Sequence, residues 1–179
     1  MDVIFDIDGT LANAKHRLHF INDNAHWTTS GGKPPRPNWE AFLADDQVAK
    51  DTPIPQTWSI LSTMLKFPSD YRVIFITGRK ESTRRMTYSW LTEPTCDHRG
   101  CAALVWKKQS LYQGKTVGPI LYMRSESDRR PSDVVKESLL FRARADGFHP
   151  DLAFEDRKED AAMWRRNGLL CCQVAEGNY

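Results

Sequence analysis

Two aspartates stand one residue apart at the end of an apolar run: Asp6 and Asp8 in VIFDIDGTLA, residues 3–12. Acids there give up good burial positions, so they call for a cation or a reacting group beside them. Other apolar runs end the same way. RVIFI (72–76) runs into Thr77, Gly78 and Arg79, and LAF (152–154) runs into Glu155 and Asp156. A helix starting near Ser132 carries Lys136 one turn inside. Clustered carboxylates resist joint ionisation unless a cation neutralises them. Asp6, Asp8, Glu155 and Asp156 suit a hard ion with oxygen ligands, and Mg²⁺ fits because it takes few carboxylates and keeps waters for substrate oxygens. The Thr77 hydroxyl, the Gly78 amide and the cations Arg79 and Lys136 would bind a phosphoryl group. Acid, magnesium and a phosphate cradle together describe phosphoryl transfer.

The elements that must bring these residues together follow from pattern. Strands are expected at 2–6, 72–76, 103–106, 120–123, 151–154 and 169–174. Helices are expected at 11–21, 38–43 (capped by Asn38), 56–67, 80–91, 132–146 (capped by Ser132 and stopped by Gly147) and 158–167. Residues 22–37 read as loop. Strands alternating with helices imply a parallel sheet covered on both faces, with ligands at the carboxyl ends of the strands.

The chain has 179 residues, 40% apolar and 27% charged, with a formal net charge of +2. It is sized for one domain with a real core, and no global field announces a polyanion partner. Basic pairs occur at Arg84-Arg85, Lys107-Lys108, Arg129-Arg130 and Arg165-Arg166. No run approaches a membrane span, and the amino terminus is unlike a signal peptide, so a cytoplasmic protein without membrane contact is expected. Cys96, His98 and Cys101 sit close together but without a standard zinc spacing; they would be free thiols in a loop or, with His149 as fourth ligand, a zinc site. Gly114-Lys115-Thr116 resembles the end of a P-loop, but Gln109 stands where that loop needs glycine, which excludes a nucleotide-kinase site.

DIDGT, TGR, the helical lysine and EDR…D, in that order and spacing, resemble the haloacid dehalogenase superfamily of phosphohydrolases. RRMTYSWL (84–91), PSDVVKESLLF (131–141) and residues 152–179 resemble the 3′-phosphatase domain of bacteriophage polynucleotide kinase-phosphatase. The resemblance implies a three-layer α/β/α Rossmann-like fold with a mainly parallel central sheet, as one domain over 1–179. Residues 12–52 would form a small cap or lid insertion after the first strand. It also implies roles. Asp6 matches the nucleophile that forms an aspartyl-phosphate, and Asp8 the general acid/base whose main-chain carbonyl touches the metal. Thr10 would fix the turn. Thr77 matches the residue that holds the transferring phosphoryl, and Lys136 the cation that offsets charge on Asp6 and phosphate. Asp156 is expected as a direct metal ligand, with Glu155 second to it; the family pair is usually two aspartates. Asp160 would orient a metal water or stand in solvent. Arg79 and Arg17 would reach substrate phosphates, and Asp133 would pin Lys136.

The substrate expected from this resemblance is a 3′-phosphate on a DNA or RNA end, with Trp27, Trp39 and Trp106 available to stack on bases. A small-molecule phosphatase for free nucleotides, with 12–52 as its lid, is the rival. A non-catalytic nucleic-acid binding module is a third reading.

Overall fold

The computed structural model of the protein describes residues 1–29, 34–92 and 118–177. The expected strand at 103–106, Gly114-Lys115-Thr116, Trp106 and the Cys96/His98/Cys101 group lie outside the described residues.

In chain order the strands are β1 (Asp2–Phe5), β2 (Ala12–Asn13), β3 (Thr52–Pro53), β4 (Arg72–Lys80), β5 (Ile120–Arg124), β6 (Pro150–Glu155) and β7 (Leu170–Gln173). The helices are α1 (His19–Asn22), α2 (Trp39–Phe42), α3 (Asp45–Val48), α4 (Pro55–Leu65), α5 (Arg84–Thr92), α6 (Ser132–Ala145) and α7 (Lys158–Arg166). Five strands form one sheet in the order β5-β4-β1-β6-β7, and each neighbouring pair is parallel.

Side chains alternate across a strand, and the core divides accordingly. Val3, Phe5, Val73 and Phe75 face one side, under Trp58, Leu61 and Leu65 of α4 and Trp90 and Leu91 of α5. Ile4, Ile74 and Ile76 face the other, under Val135, Leu139 and Leu140 of α6 and Met163 and Trp164 of α7. With both faces covered, central strands read as continuous apolar runs. That is why VIF and RVIFI show no alternation. Among the described residues, no helix is long and apolar enough to cross a membrane.

The chain leaves β1 toward β4 and β5, then returns to β6 and β7 on β1's other side. The order therefore reverses beside β1, and the crevice at its carboxyl end is where such sheets bind ligands. Asp6 immediately follows β1, and Glu155 ends β6.

Several local expectations need correction. Residues 11–21 are not one helix. The amides of Leu11 and Ala12 both donate to the Ile7 carbonyl, and Ala12 and Asn13 pair antiparallel with Pro53 and Thr52. That pairing leaves a 3₁₀ turn at Lys15–Arg17 and the single turn of α1. The predicted 80–91 helix starts late, because β4 runs on to Lys80 and a 3₁₀ turn at Glu81–Thr83 precedes α5. Ser132 does not cap α6; the cap position is Pro131, and the Ser132 hydroxyl donates to Asp160 Oδ2 at 2.9 Å. Gly147 does stop that helix, at φ +90°, a conformation that glycine takes without penalty.

Candidate active site

Gly9, at φ +82°, turns the chain sharply after Asp8. The turn is fixed by the main-chain bonds to Ile7 and by α4, not by the Thr10 side chain. The Thr57 hydroxyl donates to the Thr10 carbonyl, and Trp58 Nε1 donates to the Leu11 carbonyl at 2.9 Å. The Thr10 hydroxyl is buried with no hydrogen-bond partner among the described residues.

Asp6, Glu155 and Asp156 are all buried, and one carboxylate oxygen from each lies within 4.8 Å of the others. Lys136 reaches into this group from α6. Its Nζ stands 2.9 Å from Asp6 Oδ1, 2.8 Å from Glu155 Oε2 and 2.8 Å from Asp160 Oδ2. Asp160 is therefore neither solvated nor loosely placed; it is a buried partner of the lysine. Asp133 does not pin Lys136: it lines the cavity, and its carboxylate stands 3.7 Å from Arg166.

Glu155 is committed to several donors. Oε2 accepts from Lys136 and from Trp164 Nε1 at 3.0 Å, while Oε1 accepts from the amides of Asp156 at 3.2 Å and Arg157 at 3.4 Å. The main chain of Asp156 is tied to the carboxyl-terminal segment: Gly177 N–H donates to its carbonyl at 3.0 Å, and Gln173 Nε2 does so at 3.1 Å. A Cβ on Gly177 would press into Asp156 Oδ2.

Burial is the main force raising the Asp6 carboxyl well above its ordinary range; Glu155 adds to it and Lys136 opposes it. Burial works against the Lys136 ammonium too, but Asp6, Glu155 and Asp160 outweigh it and hold that lysine firmly protonated. One ammonium meets three buried carboxylates, with Asp156 buried beside them and Arg157 adding a weaker field at Asp160. The donor set is all oxygen and short of positive charge, which fits a hard divalent cation.

The Asp8 side chain is not part of this group. Arg79 Nε donates to its Oδ2 at 2.9 Å; Arg79 Nη2 and Arg17 Nη2 donate to its Oδ1 at 2.6 Å and 2.5 Å. Burial favours protonation of Asp8, but the two guanidiniums outweigh it and hold it well below the usual carboxylate range. Thr77 and Arg79 sit where the β4–β5 register shifts, between Thr77 and Lys80. Such an irregularity re-aims side chains at the end of a strand. The Thr77 hydroxyl oxygen accepts from the Arg79 amide at 3.2 Å, and the Gly78 carbonyl accepts from Arg124 Nε at 3.0 Å.

These residues floor a cavity of about 610 Å³. Asp6, Asp8, Thr77, Gly78, Arg79 and Lys136 all line it. Thr28 and the stretch from Arg36 to Leu43 supply one wall, and Arg124, Arg129, Arg130 and Arg157 supply others. Arg17 is not on that lining; fully buried behind Asp8, it also donates to the Phe42 carbonyl at 2.9 Å. Sequence reasoning missed two residues here: Gly177, and Asp51, which accepts from both Arg17 and Arg79. An aspartate before a proline-punctuated turn carries no sequence signal of burial.

A doubly covered parallel sheet with an acid cluster at the end of its first strand, a facing lysine and a Thr-Gly-Arg strand end defines a haloacid dehalogenase-type phosphatase. Within that class, a profile of the polynucleotide kinase PNKP phosphatase domain matches residues 40–179, and the chain belongs to that family. Two solved structures share its fold. A chain of a Pnkp1/Rnl/Hen1 complex superposes with a TM-score of 0.61 at 21% identity, over 99% of this chain and 47% of that one. A chain of the Pnkp1/Rnl/Hen1 RNA repair complex gives 0.58 at 22% identity, over 99% of this chain and 43% of that one. The chain thus spans about half the length of either relative.

Proposed function

We propose that this protein is a Mg²⁺-dependent phosphomonoesterase that removes 3′-phosphates from polynucleotide ends through an aspartyl-phosphate. The observation that carries the reading is the buried convergence of Asp6, Glu155 and Asp156 with Lys136, at the edge of a cavity that Asp6, Lys136, Asp8 and Arg79 line and Glu155 and Asp156 do not.

Asp6 is the nucleophile. Its Oδ attacks phosphorus while the bond to the 3′-oxygen breaks. Lys136 offsets charge on Asp6 and the phosphoryl group; the Thr77 hydroxyl, the Gly78 amide and Arg79 hold the phosphoryl oxygens. Asp8 gives a proton to the departing 3′-oxygen, then takes one from the water that opens the aspartyl-phosphate, releasing inorganic phosphate. In the resting site Asp8 is ionised, which suits that second half; to act in the first half it takes up a proton from solvent as the phosphoryl group draws on Arg79. Asp6, Asp156 and the Asp8 main-chain carbonyl would hold Mg²⁺, with Glu155 orienting Asp156 and ligand water. The ion supplies charge neutralisation at the phosphoryl oxygens.

The family favours a polynucleotide end, and the cavity rim is consistent with it. Trp39 is 45% exposed at the cavity edge, whereas Trp58, Trp90 and Trp164 are buried. Trp27 is partly covered and spends its Nε1 on the Ile21 carbonyl at 3.0 Å. Trp39 is thus the tryptophan placed to stack on a base, with Arg129 and Arg130 lining the same cavity for a backbone phosphate. One observation favours the rival, a phosphatase of free nucleotides: residues 36–43 wall the site, as a lid that shuts out long substrates would.

Phosphate release from a 3′-phosphorylated oligonucleotide and from a panel of mononucleotides, with and without Mg²⁺, tests the reading. The oligonucleotide should be preferred, only with Mg²⁺, and its turnover should fall steeply with salt as phosphate contacts displace counterions. Preference for mononucleotides with a flat salt response would transfer the assignment to the small substrate. Binding without turnover would leave a nucleic-acid binding module.

A further inference from the structure

Behind the cavity floor lies a buried quartet of charges: Arg17, Arg79, Asp8 and Asp51. Arg17, Arg79 and Asp51 are essentially inaccessible. The same two guanidinium nitrogens serve both carboxylates. Arg17 Nη2 donates to Asp8 Oδ1 at 2.5 Å and to Asp51 Oδ2 at 2.7 Å; Arg79 Nη2 donates to the same two oxygens at 2.6 Å and 2.7 Å. Arg17 Nε adds a bond to Asp51 Oδ1 at 2.8 Å. Asp51 is itself held from α5, because Trp90 Nε1 donates to its carbonyl at 2.9 Å. His16 adds little: its Nε2 is 3.9 Å from Asp51 and 3.0 Å from the Gln47 carbonyl.

We propose that Asp51 is a positioning residue of the phosphate site, drawing off part of the charge of Arg17 and Arg79 and thereby setting how firmly those arginines hold Asp8 and an incoming phosphoryl group. The proposal rests on the phosphatase reading above. Two guanidiniums facing two carboxylates leave the quartet balanced. Arg79 lines the cavity and Arg17 does not. Excess positive charge would therefore be felt at the cavity through Arg79, and by Asp8 from both arginines. A site without Asp51 would over-bind phosphate and clamp Asp8. A residue that only supported the fold would do neither.

The test uses inorganic phosphate affinity by calorimetry in Mg²⁺, together with kcat on p-nitrophenyl phosphate, so that no polynucleotide is required. Asp51→Asn should bind phosphate roughly tenfold more tightly, within the usual range of coupling between linked groups, while kcat falls. Asp51→Glu, which keeps the charge, should return the phosphate Kd toward wild type. Arg17→Gln combined with Asp51→Asn removes one charge of each sign; it should restore the wild-type phosphate Kd even if Asp51→Asn alone fails to fold. Unchanged or weaker phosphate binding by Asp51→Asn overturns the proposal. So does weak binding by the double variant, which would make Arg17 a phosphate ligand rather than the partner of Asp51. A wild-type protein that neither binds nor releases phosphate contradicts the phosphatase reading itself, a distinguishable result.

Discussion

Asp6 is a buried carboxylate crowded by Glu155 and relieved by Lys136, and that is an unfavourable place for a charge unless it reacts or binds a cation. Asp6→Asn removes the proposed nucleophile and some of the crowding together. It should abolish turnover, keep substrate binding and raise the thermal midpoint measured without metal; full Mg²⁺-dependent activity in this variant would refute covalent catalysis at residue 6. Gly177 makes a second single-residue case. A methyl there would displace the Asp156 carboxylate. Gly177→Ala should raise the Mg²⁺ concentration giving half-maximal activity several-fold while leaving the melting curve without metal unchanged. The motif acids were legible because strand-terminal carboxylates announce themselves by breaking an apolar run. Gly177 and Asp51 were not, because their roles come from segments that meet only when folded.

At the scale of elements, α6 shows how a helix is used to carry charge inward. Val135, Leu139, Leu140 and Ala143 bury its apolar side, and Lys136 goes down with them. Lys136→Met would leave Asp6, Glu155 and Asp160 facing one another without their ammonium. Removing one partner of a buried ion pair costs about 3–5 kcal/mol, so denaturant unfolding should show a loss of that order, together with loss of activity. The α2 turn belongs to the cavity wall. Trp39→Ala, read by steady-state kinetics, should raise KM for a 3′-phosphorylated oligonucleotide and leave p-nitrophenyl phosphate hydrolysis nearly unchanged. Base stacking worth about 1–3 kcal/mol predicts a rise of roughly 5–150-fold. Strands β1, β4 and β6 and helices α4, α6 and α7 were readable from their apolar patterns. The segment from Ala12 to Pro53 was not, because its order comes from long-range ties. The short β2–β3 pairing closes it, and Arg17 stitches it, donating to Asp8, Asp51 and the Phe42 carbonyl with its guanidinium 4.1 Å over the Phe42 ring. A helix predicted by spacing at 11–21 loses to those contacts.

For the molecule as a whole, the sheet does the assembling. Its order puts β1 between β4 and β6, so residues 6, 77 and 155 converge although roughly two-fifths of the chain separates each of the later two from the one before. The acid cluster that results should couple metal binding to stability. A ligand that binds only the folded state stabilises by about 2.7 kcal/mol at a hundredfold excess over its Kd. Mg²⁺ should therefore raise the thermal midpoint by several degrees in the wild type and by little in Asp156→Asn, as differential scanning calorimetry would show. The most direct test of the central claim is a crystal structure grown with Mg²⁺ and beryllium trifluoride, a mimic of the aspartyl-phosphate. Beryllium should be bonded to an Asp6 carboxylate oxygen, with Mg²⁺ on the other Asp6 oxygen and on Asp156, and with Thr77 and Lys136 on the fluorines. Beryllium bound elsewhere, or a metal ion distant from Asp6 and Asp156, would contradict it.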